Sequence, residues 1–247
     1  MPVRVRPSAI SNTDFRRVLA IYRTRGLPAA AGELLADCAL QQGEGSISDK
    51  IEMPANTERP LFIPVILGTA RRGRQSEHVA RFVFEQTKKR GDVETELIDV
   101  RELPMRLEDA GEQMKDPTFS ATIERCDGII LVVPEYNHGY PGLLKHALDM
   151  NLKEYIHKAV GICGISAGPF GGARVIENLL PVMRELGLVT IFEDVNFGKV
   201  GTLFDEQGKL LDQSYIRRVE KFLNELIWMA RVLRHGRENV SEGRVME

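Results

Sequence analysis

The first loop, residues 68–76, concentrates hydroxyls and guanidiniums between an apolar run and a helical pattern. Its sequence is GTARRGRQS, so Thr69 and Ser76 stand close to three arginines. A helix N-terminus would add unpaired backbone N–H groups and the positive end of the helix dipole. These features favour a bound monophosphate, and the alternative is a solvated turn in which Ser76 only caps the helix. The spacing matches neither GxxxxGK[ST] nor GxGxxG, which argues against a P-loop or a dinucleotide fingerprint.

The second loop, residues 134–142, has the sequence PEYNHGYPG and is stiffened by two prolines. A stiff loop can hold a planar group against its backbone, and the Asn137 amide can both donate to and accept from the edge of a heteroaromatic ring. We expect the Glu135 side chain to be solvated, with its backbone available for binding. His138 could act as a general acid or base, and the alternative is a histidine without a chemical role.

The third loop, residues 166–172, has the sequence SAGPFGG. Its three glycines would allow the backbone to approach a ligand closely. The alternative is a strand-to-helix turn that needs glycine only because its backbone adopts a positive φ.

All three loops follow apolar runs that predict buried strands, and segments with helical spacing come after them. The predicted strands are 63–68, 93–100, 127–134, 159–166 and 188–195. The predicted helices are 76–91, 118–126, 143–152, 172–186 and 213–235, and 202–212 is predicted to be a surface turn or small hairpin. Because proline is tolerated at the first residue of a strand, we expect pairing to begin at Pro64.

Continuous apolar strands separated by amphipathic helices require a parallel sheet that is covered on both faces. Five such units predict a single doubly wound domain over residues 60–247. In this fold class, ligands bind beyond the carboxyl ends of the strands, where the strand order reverses. The three loops stand at such ends, so we expect them to form one site.

Residues 1–59 differ from the rest of the chain. Residues 1–31 contain six arginines against one acid, and residues 41–59 are polar and typical of a linker. We expect either a poorly ordered extension or a start codon assigned too far upstream. In the second case Met53 would be the first residue of the functional protein. The alternative is an organelle-targeting peptide, for which an arginine-rich and acid-poor start is typical.

Composition narrows the remaining function classes. The net charge of −2 shows no excess of basic residues, so nucleic acid is not expected as a partner. No window reaches about 18 uninterrupted apolar residues, so no membrane span is expected. Cys38, Cys126 and Cys163 lack the spacing of a metal site or a redox pair. We expect buried thiols in the reducing cytoplasm and no bound metal.

Three motifs occupy the loops: LGTARRGRQS at 67–76, PEYNHGYPGLLKHALD at 134–149 and SAGPFGG at 166–172. Together they resemble the NADPH-dependent FMN reductase family of flavodoxin-like proteins, which includes azo-dye, quinone and chromate reductases. A PxYN loop followed by a PGxLKxxxD helix is the most specific part of the resemblance, which covers roughly residues 61–235. The family's first motif usually has the form LxGSxRxxS. Here Thr69 replaces the serine, and the spacing to Ser76 is one residue longer.

The resemblance implies a flavodoxin-like three-layer sandwich with a five-stranded parallel sheet. It also implies an enzyme in which hydride passes from NADPH or NADH to FMN N5 and then to a small electron acceptor, by a ping-pong mechanism. No side chain would act as acid, base or nucleophile. Family members are usually dimers or tetramers, so the resemblance implies a homodimer or homotetramer.

The same resemblance assigns individual residues to the cofactor. The FMN phosphate would be bound by Thr69, Arg71, Arg74, Gln75 and Ser76. The isoalloxazine would be lined by Pro134, Glu135, Tyr136, Asn137 and His138, with Ser166, Gly168 and Gly171 on its opposite side.

Two other functions remain open at this point. A flavodoxin-type electron carrier would hold FMN without oxidising NAD(P)H, although such carriers tend to be more acidic than this chain. A binding or regulatory module on the same fold would take up no FMN. The acceptor of a reductase also stays open among quinones, azo compounds, free flavin, ferric chelates and metal oxyanions.

Overall fold

The computed structural model describes residues 59–106 and 111–240. The predicted extension, residues 1–59, therefore lies outside the described residues except for Arg59. The strands are β1 (Leu61–Phe62), β2 (Val65–Leu67), β3 (Val93–Glu94), β4 (Leu97–Asp99), β5 (Gly128–Pro134), β6 (Lys158–Ile165), β7 (Leu188–Thr190) and β8 (Val195–Phe197). The helices are α1 (Ser76–Lys88), α2 (Pro117–Arg125), α3 (Gly142–Asp149), α4 (Ala173–Glu185) and α5 (Ser214–Asn239).

The strands form a parallel sheet in the order β4-β2-β5-β6-β7, and β8 pairs with β6 further along the same edge. β1 and β3 form a short parallel pair on the amino-terminal side of β2 and β4. The strand order therefore reverses between β2 and β5, which is the flavodoxin-like arrangement. The predicted fold class is confirmed.

Pairing does not begin at Pro64, so that prediction was wrong. Leu61 and Phe62 already pair with Val93 and Glu94. Proline has no N–H to donate, and the ladder is interrupted between β1 and β2. The Pro64 carbonyl still accepts a hydrogen bond from the β5 backbone at 2.9 Å, so the proline interrupts a strand that continues on both sides.

The fifth predicted strand is divided into β7 and β8. The two residues of β6 between Val160 and Cys163 stand opposite four residues of the edge chain, 191–194. The excess residues include Glu193 and Asp194, whose carboxylates would be costly to bury in the ladder. The edge chain therefore bulges outward between its two paired segments.

Alternate strand residues face opposite layers of helices. In β2, Val65 and Leu67 pack with residues of α1 and α5, whereas Ile66 packs with residues of α2, α3 and α4. The result is the predicted three-layer sandwich. The segment after β8 contains an antiparallel bridge between Phe204 and Leu210, which confirms the small hairpin predicted there.

The two described cysteines are buried free thiols, as predicted. Cys163 packs in the layer with α1 and α5, and Cys126 packs in the opposite layer. Burial raises the pKa of the Cys126 thiol to about 11, so this group is protonated at neutral pH and is a poor nucleophile. Within the described ranges, each helix falls short of the length or the apolarity that crossing a membrane demands.

Candidate functional site

The carboxyl ends of β2, β5 and β6 bring the three loops together. A hydrogen bond of 3.0 Å joins Thr69 Oγ1 in the first loop to Tyr136 Oη in the second. The Glu135 backbone N–H donates to the Ile165 carbonyl at 2.8 Å, so the second loop begins beside the strand that leads into the third. The predicted convergence at one edge of the sheet is therefore seen in the structure.

A cavity of about 610 Å³ opens where the first and second loops meet. Its size falls within the usual range of small-molecule sites. Its lining residues are Thr69, Ala70, Arg71, Glu135, Tyr136, Asn137, Pro141, Gly142 and Leu143. The first two loops and the start of α3 thus build the cavity, whereas the third loop does not line it.

Arg71 has the position expected of a residue that meets an anion at the cavity. Its guanidinium lies 5.0 Å from the centre of the Tyr136 ring, and the residue is exposed. Its backbone N–H donates to Thr69 Oγ1 at 3.4 Å. The Tyr136 ring and the Thr69 hydroxyl thus keep a fixed positive charge beside the cavity.

Ser76 does not cap α1, which removes the simplest alternative for the first loop. Gln75 occupies the N-cap position without a side-chain cap hydrogen bond, and Ser76 is the first helical residue. The Ser76 hydroxyl is buried and makes no hydrogen bond to any described residue. An unpaired buried hydroxyl is costly, so this position suits a ligand oxygen at the helix N-terminus.

Arg74 is placed differently from the other predicted phosphate ligands. Its side chain is only 3% exposed, and its guanidinium forms a two-pronged ion pair with Asp99 at the end of β4, with Nη1 at 2.9 Å from Oδ1. It also donates to the Thr69 carbonyl. The two terminal nitrogens of Arg74 thus hold the first loop against the neighbouring strand, while its Nε is buried without a hydrogen-bond partner among the described residues. A contact of Arg74 with the phosphate stays a prediction.

The second loop contains a two-residue β-turn between Tyr136 and Gly139. Their backbones exchange two hydrogen bonds of 2.9 and 3.0 Å. The central residues Asn137 and His138 have φ of 50° and 68°, which makes the turn type I′. Positive φ is uncommon for residues other than glycine, although asparagine and histidine adopt it more often than most. Strained backbone of this kind is concentrated at functional sites.

Glu135 is buried, which contradicts the expectation of a solvated side chain. Only 5% of the side chain is exposed, and Oε1 lies 2.5 Å from Arg174 Nη2 on α4. The other oxygen, Oε2, is buried and has no hydrogen-bond partner among the described residues. Because Glu135 also lines the cavity, this oxygen suits a ligand that can donate a hydrogen bond.

The third loop is fixed mainly by contacts within the protein. Gly171 has φ of 60°, and a Cβ there would lie 2.7 Å from the Asn196 Cβ. The Gly168 carbonyl accepts from the Ser166 hydroxyl at 3.0 Å and from the Lys199 backbone at 2.8 Å. A Cβ added to Gly168 would meet nothing within 4 Å. Packing thus accounts for Gly171, while Gly168 leaves an open side.

Sequence reasoning missed Arg174, although its position carried an indication. Arg174 stands in the first turn of α4, where the helix dipole disfavours a cation. A cation at such a position points to a specific anionic partner, which is Glu135. The identity of that partner required the three-dimensional contact.

The residues present fit a phosphorylated planar cofactor. The Ser76 hydroxyl at the start of α1 and the Glu135 Oε2 in the second loop are buried polar atoms without hydrogen-bond partners among the described residues. Arg71 supplies a positive charge at the cavity, and Tyr136 and Asn137 supply an aromatic ring and an amide. Among the described residues no group of three or more His, Cys, Asp or Glu side chains could hold a metal ion.

Known proteins resemble this chain over the same region. Residues 62–202 match the family described as NADPH-dependent FMN reductase. A quinone reductase of Pseudomonas putida is 26% identical over 161 residues, which cover 62% of this chain and 86% of that protein. An FMN-dependent NADPH-azoreductase of Staphylococcus aureus is 27% identical over 179 residues, which cover 65% of this chain and 94% of that protein.

A solved structure shows the same fold. FerB from Paracoccus denitrificans, a flavoenzyme NAD(P)H:(acceptor) oxidoreductase, matches with a TM-score of 0.59 at 20% identity, and the match covers 70% of this chain and 98% of FerB. The family match itself spans more than half of the chain. The chain therefore belongs to the NADPH-dependent FMN reductase family and is an oxidoreductase that uses FMN and NAD(P)H as cofactors.

Proposed function

We propose that this oxidoreductase transfers electrons from NAD(P)H to a small acceptor, such as a quinone or an azo compound, by a ping-pong mechanism. The observation that carries the proposal is the cavity at the carboxyl ends of β2 and β5, lined by the first and second loops. The choice of acceptor is supported by the quinone reductase and the azoreductase among the relatives. The chemistry that FMN supplies when bound is the acceptance of hydride and the release of electrons.

The first loop binds the FMN phosphate in this proposal. Arg71 supplies the charge, while Thr69, Gln75 and Ser76 supply hydroxyl, amide or backbone donors at the start of α1. The dipole of α1 adds to the attraction for the anion. Arg74 contributes indirectly, because its pair with Asp99 keeps the first loop in place.

The second loop holds the isoalloxazine ring. The proposed lining residues are Pro134, Glu135, Tyr136, Asn137 and His138. Three of them, Glu135, Tyr136 and Asn137, line the cavity. The proposed contacts from the opposite side come from Ser166, Gly168 and Gly171. For Gly168 this is supported by the open space beside it, while the tight packing of Gly171 against Asn196 favours an indirect role.

Kinetic and spectroscopic measurements on the FMN-loaded protein test the mechanism. With NADPH and a quinone as varied substrates, double-reciprocal plots should be parallel, and intersecting plots would contradict a ping-pong cycle. Anaerobic mixing with NADPH should bleach the visible flavin band, and added quinone should restore it. A protein that holds FMN but does not bleach would be an electron carrier, and one that takes up no FMN would be a binding module.

We also propose that the protein acts as a homodimer or homotetramer in a reducing cytoplasm. Trp228 and Val232 are 58% and 47% exposed, and they lie four residues apart on α5, so an apolar stripe is available for a subunit contact. The buried free thiols Cys126 and Cys163 support a reducing compartment. Light scattering coupled to size-exclusion chromatography would give the mass, and a monomer would contradict the proposed assembly.

A further inference from the structure

The guanidinium of Arg174 is directed at the second loop. Its Nη2 lies 2.5 Å from Glu135 Oε1, and its Nη1 donates to His138 Nε2 at 2.7 Å. Since arginine has no acceptor, the His138 nitrogen must accept this hydrogen bond. One turn further along α4, the Asn178 amide donates to the His138 carbonyl at 2.7 Å. We call the contacts of Arg174 with Glu135 and His138 the Arg174 bridge.

The Arg174 bridge spans the strained part of the second loop. Glu135 stands immediately before the type I′ turn, and His138 is one of its two central residues with positive φ. A residue other than glycine in this conformation costs free energy and needs support from its surroundings. The bridge supplies that support at Glu135, just before the turn, and at His138 within it, and Asn137 lies between the two anchored residues.

The Arg174 bridge also compensates a buried charge. The Glu135 side chain is 5% exposed, so its carboxylate has lost most of its hydration. The two ends of a planar guanidinium can reach a carboxylate and an imidazole together. A lysine ammonium is a single point charge and is poorly suited to serve both partners.

We propose that Arg174 is a positioning residue that keeps the second loop in the shape required to bind the flavin ring. Arg174 itself does not line the cavity, so it acts through Glu135, which does. α4, the helix that follows the third loop, thereby contributes to cofactor binding from outside the cavity. This inference rests on the proposed function, because it takes the second loop as the binding surface for the isoalloxazine.

Two measurements on the same variants test the role of Arg174. The variants are Arg174→Met, Arg174→Lys and the control Arg184→Met, which changes an exposed arginine in the last turn of the same helix. Hydrogen exchange in the FMN-free protein reports the order of the second loop, and a fluorescence titration gives the Kd for FMN.

Arg174→Met should speed exchange of the peptide covering residues 134–142 and raise the Kd for FMN about tenfold, because the second loop would then have to be ordered when FMN binds. Arg174→Lys should fall between wild type and Arg174→Met, and Arg184→Met should match wild type. In a double variant with Glu135→Gln, the effects on the Kd should not add, because both changes break the same contact.

Wild-type exchange in Arg174→Met would show that the bridge does not order the loop. Altered exchange with an unchanged Kd would overturn the role in cofactor binding, as would additive effects in the double variant. If the wild-type protein itself took up no FMN, the proposed function would fail, and the exchange data on the FMN-free protein would still decide whether the bridge orders the second loop.

Discussion

At the scale of single residues, two arginines of the first loop have different surroundings. Arg71 lies over the Tyr136 ring at the cavity, whereas Arg74 is buried and paired with Asp99. The sequence could not separate these roles, because both arginines stand in one loop three residues apart. The register that sets Leu67 of β2 beside Asp99 of β4 brings the carboxylate within reach of Arg74.

Replacing Arg71 by alanine should weaken FMN binding without unfolding the protein. Loss of a hydrogen bond to a charged group corresponds to about 1.5–3 kcal/mol, so the Kd should rise about 10- to 100-fold. The exposed side chain makes a small contribution to the fold, and the melting temperature should change little. A fluorescence titration with FMN measures the effect.

The matched control is Arg81→Ala, which removes an exposed arginine further along α1. It should bind FMN as the wild type does. Wild-type affinity in the Arg71→Ala protein would remove the first loop from the proposed phosphate site.

Replacing Asp99 by asparagine should lower stability and loosen the first loop. Arg74 is 3% exposed and would keep a buried charge with a weaker partner. We expect a loss of about 1–2 kcal/mol in the free energy of unfolding, since the Asp99 side chain is itself partly exposed. Urea denaturation of the FMN-free protein measures this loss. An unchanged midpoint would show that the pair does not hold the loop.

The Asp99 carboxylate should also make stability depend on pH. Burial alone would raise its pKa, but the hydrogen bonds from Arg74 and from the Arg101 backbone, together with their charges, bring the pKa below its ordinary value. Such a group stabilises the fold above its unfolded pKa of about 3.9, and this contribution is lost as pH falls through the folded pKa.

As the pH is lowered below about 4, the free energy of unfolding of the wild type should therefore decrease more steeply than that of Asp99→Asn. Urea titrations at several pH values compare the two proteins. Equal slopes would mean that Asp99 titrates alike in the folded and unfolded chains.

At the scale of elements, the start of α4 depends on a glycine whose backbone conformation and packing disfavour any side chain. Gly172 has φ of 79°, and a Cβ there would lie 2.4 Å from the Ile165 backbone nitrogen. Gly168 in the same loop has open space where its Cβ would be. The two glycines thus form a natural pair for comparison.

Gly172→Ala should destabilise the FMN-free protein by about 2–3 kcal/mol through backbone strain and overlap, whereas Gly168→Ala should change stability by less than about 0.5 kcal/mol. Denaturant unfolding curves compare them. If the flavin approaches Gly168 as proposed, Gly168→Ala should still raise the Kd for FMN. Equal stabilities of the two variants would contradict the account of this turn.

Periodicity in the sequence predicted the elements well and their pairing less well. All five predicted helices are present, and each predicted strand has a counterpart in the sheet. The interruption at Pro64 and the bulge before Val195 were missed, because a run of apolar residues carries no information about which of them pair. The interruption follows from the missing N–H of Pro64 in the ladder with β3 and β4, and the bulge depends on the pairing with β6.

At the scale of the whole molecule, the amino ends of the strands are held by a buried charge cluster opposite the cavity. The Asp127 side chain is completely buried, and its oxygens lie 2.8 Å from Arg59 Nη1 and 3.0 Å from Arg237 Nη2. The Phe62 backbone N–H donates to the same carboxylate at 3.0 Å. Asp127 therefore ties β1 to the carboxyl end of α5.

Asp127→Asn should cost about 3 kcal/mol of stability, the usual effect of breaking a buried ion pair from one side. Because the cluster lies at the opposite end of the sheet from the cavity, FMN affinity should stay at the wild-type value. Thermal unfolding and an FMN titration below the melting temperature measure the two quantities. A large change in affinity without a loss of stability would contradict this division of roles.

The positions of the three loops were predictable, and their contacts were only partly so. Parallel βα units require loops at the carboxyl ends of the strands, which placed Thr69, Tyr136 and Ile165 near one another. The flavodoxin-like arrangement of the strands was implied only by the resemblance to a known family. The burial of Glu135 was missed, because its partner Arg174 lies 39 residues away in the chain.

Hydrogen exchange with and without FMN tests directly whether the first and second loops bind the cofactor. We expect slower exchange of peptides covering residues 68–76 and 134–142 on addition of FMN. Protection confined to other parts of the protein, or no protection at FMN concentrations that saturate a family reductase, would contradict it.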